Sequence, residues 1–432
     1  MNLRIANGLL VDPVAGTEHK ADLFVAGETI VGEGAIPAGF GVDRVIDATG
    51  KVVCPGLVDL SARLREPGFE YRATLESELA AAVAGGVTTL ACPPDTEPPL
   101  DEPGLVEMLK RRAASLRLAH VHPIGALTQG LRGERLTEMA ELTEAGCVAF
   151  SQDDRPFADL TVLWRSLQYA TTFGFPVWLR PEDPGLAAGG VAHDGEVATR
   201  LGLAGIPAVA ETIAIAAILL LARETGARVH LCRLSTTEGV EMVRKARADG
   251  LPVTCDVSAH HIHLSEMDIG YFDAHCRLSP PLRSLRDREA LVRGLADGTI
   301  DAICSDHTPI DDDGKQLPFG EAEPGATGLE LLLPLALKWG AEANLPLARI
   351  LERVTSGPAR LLNLPAPSLA PGAAADLCVF DRDAWWRVEP SALKSQGKNT
   401  PFTGYELQGR VCATLVGGRL VYESPPPPDR KP

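Results

Sequence analysis

Residues 57–91 read LVDLSARLREPGFEYRATLESELAAAVAGGVTTLA. A short apolar run at Leu57–Leu60 precedes a stretch of helix formers at Leu75–Ala84. A Gly85-Gly86 break then leads into a second apolar run, Val87–Ala91. Short apolar strands separated by a helix are the unit of a parallel sheet. The same unit recurs outward. Strand patterns lie at His120–Ile124, Cys147–Phe150, Pro176–Leu179, Arg228–Leu231, Val253–Val257 and Ala302–Cys304. Helical patterns lie between them, at Leu105–Ser115, Leu160–Thr172 and Glu238–Asp249 among others. Eight strands spaced roughly 30 residues apart predict an α/β fold, a (β/α)8 TIM-type barrel over residues 55–365. A doubly wound sheet is the alternative, but no G-x-G-x-x-G follows the first strand, so a dinucleotide has no binding loop.

Both ends have a different texture. Leu3–Ile5, Ala21–Val25, Thr29–Val31 and Arg44–Ile46 are short β-patterned runs punctuated by Asn7-Gly8, Gly27, Gly32 and Gly34. Asp376–Phe380, Val411–Val416 and Leu420–Tyr422 repeat that pattern near the other end. These runs predict one discontinuous β domain built from residues 1–54 and 366–424. The proline-rich tail, 425–432, is expected to be disordered.

Composition narrows the class. The chain has 432 residues, 45% of them hydrophobic, and a net charge of −16 from 41 Lys+Arg against 57 Asp+Glu. That balance disfavours nucleic acid and anionic membrane surfaces as partners. The longest apolar run, Ile213–Ala222, is too short to span a bilayer. The opening Met1–Ile5 has no signal-peptide pattern. Nine single cysteines without a C-x-x-C pair suit reduced, buried thiols. The expectation is a cytoplasmic protein.

In a barrel, chemistry gathers where strands end. The first strand runs PGLVDLSARLREPG from Pro55 to Gly68. Further motifs are Cys92-Pro-Pro-Asp95-Thr, the segment from Ala145 to Asp153, Ser279-Pro-Pro-Leu-Arg283 and Ser305-Asp306-His307-Thr-Pro309. Together with Asn399-Thr-Pro-Phe and Gly418-Arg-Leu-Val-Tyr, these resemble the dihydroorotase family of the amidohydrolase superfamily. Its active members use zinc to interconvert carbamoyl aspartate and dihydroorotate.

The resemblance implies a metal site at defined positions. The family's H-x-H pair falls on Ser61 and Arg63, and its next two histidines fall on Arg180 and Arg233. Asp153 matches the metal-bridging group, and Asp306 matches the ligand and proton shuttle. A catalytic zinc needs three protein ligands, and a guanidinium offers no lone pair. Without metal, water at a pKa of about 15.7 is no nucleophile near neutrality. The expectation is therefore no catalytic residue, no metal and no cofactor, with Asp153 and Asp306 as vestiges. Strand alternation should turn His230 and Cys232 away from the side Arg233 uses. A strand ending before Cys232 would reopen a third-ligand reading.

Asp59, Asp153 and Asp306 left without metal would be costly to bury unpaired. Arg63, Arg180 and Arg233 are expected to balance them as an ion-pair cluster. The substrate positions are mixed. Arg65 matches the arginine that holds the substrate carboxylate, or else it braces a loop through Glu66 or Glu70. His261 matches a family histidine. Asp95 and Ser279 replace asparagines, and Ile310 replaces a histidine. His307 is expected to hydrogen-bond structurally, and Trp385-Trp386 to pack.

The resemblance extends to chains without the metal histidines that assemble with aspartate transcarbamoylase. It implies a non-catalytic, oligomeric subunit of an aspartate transcarbamoylase complex in pyrimidine synthesis, with the transcarbamoylase catalytic chain as partner. Two alternatives are an amidohydrolase with a reduced metal site on Asp153 and Asp306, and a small-molecule sensor using Arg65.

Overall fold

A computed structural model describes residues 1–425; the tail assigned to disorder lies almost wholly outside the described residues. The middle of the chain forms an eight-stranded parallel sheet in sequence order, from Leu57–Asp59 to Ala302–Cys304. Its first and last strands meet above their ends through a parallel bridge between Ala62 and His307. There Arg63 N–H donates to the His307 carbonyl (2.9 Å), and His307 N–H donates to the Ser61 carbonyl (3.0 Å). Helices surround the strands, so the sheet is an almost closed (β/α)8 barrel.

Local sequence explains the elements. In the unit quoted above, Thr74 caps the helix Leu75–Ala84 by accepting from Ser77 N–H, and Gly85 stops it. Leu75, Leu79, Ala82 and Val83 turn inward and join the main apolar core. Val87–Cys92 follows, buried at every position, as a strand covered on both faces must be.

Strands from both ends form a second, eight-stranded sheet. Asn2–Asp12 pairs in parallel with Val52–Pro55, which pairs antiparallel with Leu377–Arg387. Leu3, Ile5, Leu23, Val53, Leu377, Val379 and Leu415 make its separate core. Several of these strands outrun their apolar signal. The hairpin of Leu377–Arg387 with Glu406–Val416 continues through polar residues, because ladder hydrogen bonds need no apolar side chain. Trp386 packs and donates Nε1–H to the Gly409 carbonyl (3.1 Å), whereas Trp385 is 65% exposed, contrary to expectation. Successive strand residues face opposite ways, so a Trp-Trp pair cannot pack on one side.

The 307–325 segment follows the last barrel strand. It contains a short helix, Asp312–Gln316, and Arg72 ties it down through Glu323 at 2.6 Å.

Candidate functional site

Four of the residues at the barrel mouth share a backbone feature. Arg65, Asp153, Arg233 and Asp306 all have positive φ, between 48° and 61°. Non-glycine residues adopt that region rarely, and it turns a side chain out of the strand's alternation. The last three each lie two residues beyond a strand end. Their side chains are thereby aimed into one buried space over the barrel axis.

Arg63 fills the middle of that space and is almost wholly buried. Its Nη2 donates to both oxygens of Asp153, at 2.9 and 2.8 Å, and to Asp154 Oδ2 at 2.9 Å. Its Nη1 donates to Thr308 Oγ1 at 3.0 Å, and its Nε to Asp95 Oδ2 at 2.7 Å. Arg233 donates Nη1–H to Asp306 Oδ1 at 2.9 Å and Nη2–H to Asp154 Oδ1 at 2.6 Å. Arg180 holds Glu182 through two parallel bonds, 3.0 and 2.5 Å, and its Nε lies 2.7 Å from Asp154. The three arginines thus form one network with Asp95, Asp153, Asp154, Glu182 and Asp306.

Three members of this network were not anticipated, among them Glu182, which pairs with Arg180. Asp154 lies between Arg180 and Arg233, and Asp95, expected only to replace an asparagine and repel a substrate carboxylate, accepts from Arg63. Asp59 is a correction in the other direction. It stays outside the cluster, accepting from Ser305 N–H (2.7 Å) and Ser305 Oγ (2.5 Å) below the mouth. Its side chain points down the barrel, so a serine supplies its partners. Burial pushes its carboxyl up to about 6.

The electrostatics follow from burial against pairing. Asp154 is opposed by burial, yet Arg233, Arg63 and Arg180 outweigh it and hold the carboxyl well below its usual range. Asp153 goes the other way. Burial, with Asp95 and Asp154 nearby, outweighs Arg63 and raises it to about 6. Burial raises Asp306 as well.

Of the substrate positions, Arg65 donates Nε–H to the Pro309 carbonyl at 2.9 Å, and its Nη1 is 3.9 Å from Asp95. It pairs with neither Glu66 nor Glu70. Glu66 instead accepts from Leu75 N–H and pairs with Arg112, while Glu70 accepts from Gly68 N–H. His261 donates Nε2–H to the Pro280 carbonyl (3.1 Å), and burial lowers it to about 4. Ser279 is half-buried, and Ser61 and Ile310 are buried. Among the described residues none of the three makes a side-chain hydrogen bond to the arginine network, although Ser61 lines a small cavity with Arg180 and Arg233. His307 is fixed as a structural group, with Nε2 2.6 Å from Glu78 and Nδ1 accepting from Gly328 N–H. A cavity of about 400 Å3 opens beside Asp153 and Arg180, but its wall is mainly Leu160, Leu163, Ile213 and Ile218. Such a wall suits apolar groups better than a dicarboxylate.

A zinc pair does not fit this donor set. Three of the four imidazole positions carry guanidiniums, the fourth is a serine, and the carboxylates already accept from those guanidiniums.

The fold and the matches define the class. A family model described as amidohydrolase family matches residues 182–421, and one described as Dihydro-orotase-like matches residues 50–239. An L-hydantoinase from Arthrobacter aurescens superposes with a TM-score of 0.86 at 27% identity, over 98% of this chain and 96% of that one. The chain is an amidohydrolase-family (β/α)8 barrel. A dihydroorotase-like protein of Pseudomonas aeruginosa is 44% identical over 98% of this chain and 100% of its own length. A dihydroorotase of Syntrophotalea carbinolica is 40% identical over 98% of this chain and 99% of its own. Within the amidohydrolases, the chain belongs to the dihydroorotase family. Among the described residues, no helix is long and apolar enough to cross a membrane.

Proposed function

We propose that this chain is a non-catalytic dihydroorotase homologue, a cytoplasmic structural subunit of an aspartate transcarbamoylase complex in pyrimidine synthesis. One observation carries the loss of catalysis: Arg63 donates to both oxygens of Asp153 from a position where the family places a zinc-ligating imidazole. A protonated guanidinium there excludes a cation by charge and occupies its volume. Without a metal, neither Asp153 nor Asp306 has a bound water to activate, and the remaining carboxylates of the network are engaged by guanidiniums. The partner is inferred from the family resemblance: a barrel that keeps its fold while giving up its metal retains an outer surface that can hold other subunits.

The test has two arms. The chain is coexpressed with the aspartate transcarbamoylase catalytic chain of its own organism, and the mass of the eluted species is measured. One particle containing both chains is expected, with no dihydroorotate hydrolysis before or after zinc addition. Separate elution removes the subunit role, and zinc-dependent turnover removes the loss of catalysis.

A further inference from the structure

One layer below the arginine network, the barrel gathers a second set of ligating side chains that the proposed function leaves unused. His230 lies on the strand Val229–Leu231, Cys232 directly follows it, and Asp256 lies on the adjacent strand Val253–Ser258. A ring nitrogen of His230, the Cys232 sulfur and an Asp256 oxygen all fall within 4.8 Å of one another. Alternation placed Cys232 on the far side from Arg233. The strand ends at Leu231 and Arg233 turns to φ +56°, so both residues line the same small cavity.

Each donor is oriented from behind. Thr254 Oγ1 is 2.9 Å from His230 Nδ1, leaving Nε2 to face Asp256 Oδ2 at 3.0 Å. The Trp178 ring lies 4.7 Å from the imidazole and fixes its plane. Arg233 N–H donates to Asp256 Oδ1 at 2.6 Å, which leaves Oδ2 as the inward oxygen. Ligating histidines and carboxylates are positioned in this way by outer partners.

A plain histidine–aspartate hydrogen bond would explain two of the three groups. It does not explain the thiol, whose sulfur lies within 4.8 Å of both ligating atoms and makes no hydrogen bond among the described residues. Nor does it explain the space beside them. A cavity of about 20 Å3 adjoins Cys232 and Asp256, walled by Leu60, Ile124 and Trp178 on one side and by Asp153, Arg180 and Arg233 on the other. That is room for about one water-sized group. Three donors converging beside a one-atom space match a tetrahedral site with one open position.

We propose that His230 Nε2, Cys232 Sγ and Asp256 Oδ2 bind a thiophilic first-row divalent cation of the zinc type, its fourth ligand occupying that cavity. Zinc–ligand lengths of about 2.0–2.3 Å put tetrahedral donors roughly 3.3–3.7 Å apart. From at most 4.8 Å the donors therefore close by no more than about 1.5 Å, within reach of side-chain rotation. Nitrogen, sulfur and oxygen together exclude magnesium and calcium, which take oxygen ligands. On binding, the thiol proton leaves for solvent, and the imidazole proton moves from Nε2 to Nδ1, where Thr254 Oγ1 accepts its hydrogen bond. The dication with one thiolate and one carboxylate is neutral, which suits a buried site. The donors differ from the family's metal positions, although the small cavity beside them is also lined by Ser61, Asp153, Arg180 and Arg233. The site stands whether or not the chain assembles with a transcarbamoylase.

Cobalt is the probe, because thiolate coordination gives it an intense near-ultraviolet absorption that oxygen and nitrogen ligands do not. Full-length protein stripped with a chelator is titrated with Co2+ and then competed with Zn2+. One equivalent of cobalt with the thiolate band, displaced by zinc, is expected. C232S should abolish the band and weaken zinc binding at least about 100-fold, while D306N, which alters only the upper layer, should leave both in place. Cobalt bound without the thiolate band, or no cobalt bound, overturns the proposal in the wild type alone. Zinc held equally by C232S overturns it too.

Discussion

Arg63 Nη2 donates to both carboxylate oxygens of Asp153, at 2.9 and 2.8 Å, inside a barrel mouth where both side chains are more than nine-tenths buried. The same guanidinium also serves Asp95 and Asp154. Removing it would leave several buried carboxylates short of a cation, which is far worse than losing one surface pair. R63A should therefore cost about 3–5 kcal/mol of unfolding free energy, and urea denaturation checks this. R63K should recover only part, since an ammonium cannot serve three carboxylates in one plane. An R63A midpoint equal to wild type would mean the network contributes nothing to stability.

Asp154 makes the complementary case. It takes bonds or close ion-pair contacts from Arg63, Arg180 and Arg233, so it is the node through which three like charges tolerate one another. D154N keeps the shape but removes the charge, and about 1–3 kcal/mol of destabilisation is expected. Its effect should be far from additive with R233M, because both act on one network. A double-mutant cycle that sums the two single effects would show that the contacts are independent.

Much of the architecture could be read directly. Leu75–Ala84 was marked by its helix formers and a double glycine, and the eight barrel strands by short apolar runs whose ends shifted by no more than two residues. The position of Arg63 among carboxylates could be argued from charge balance alone. Asp154 could not, because its role depends on the positive φ of Asp153, which brings consecutive residues to the same space. The convergence of His230, Cys232 and Asp256 was hidden for a similar reason. Strict strand alternation holds only while the strand lasts, and nothing in the Leu231-Cys232-Arg233 sequence signals where it stops. Asp59 was misassigned because a carboxylate at a strand end gives no sign of whether a serine or a cation will meet it.

Arg65 gives a prediction about ligands. Its guanidinium is held by the Pro309 carbonyl, and Asp95 stands 3.9 Å away, where a substrate carboxylate would have to approach. Like charge so close in a buried site repels a dicarboxylate. Carbamoyl aspartate and dihydroorotate are therefore expected to leave the melting temperature of the isolated chain unchanged. A ligand-dependent rise that disappears in R65A would instead support a sensing role.

His263 supplies a pH test outside the arginine network. Its Nε2–H donates to the Leu335 carbonyl at 2.8 Å, and its ring packs at the edge of Phe402. Burial lowers its pKa to about 4, against the opposing pull of that carbonyl. The unfolded chain takes up the proton below its ordinary value of 6.5, whereas the folded chain refuses it until about 4. The stability of the neutral form is thus complete above pH 6.5 and is lost as pH falls from there to 4. The loss is on the order of 3 kcal/mol. Glutamine can donate to the same carbonyl but does not titrate. H263Q should therefore be less stable than wild type at pH 7.5, by about 1 kcal/mol for imperfect packing. The gap should close, and then reverse, as pH approaches 4.5. His260 and His261, lowered to about 3 and about 4, stay in both proteins and cancel in the difference. Denaturant melts of the two proteins at several pH values measure that difference, and a gap constant with pH would show that folding does not shift the His263 pKa.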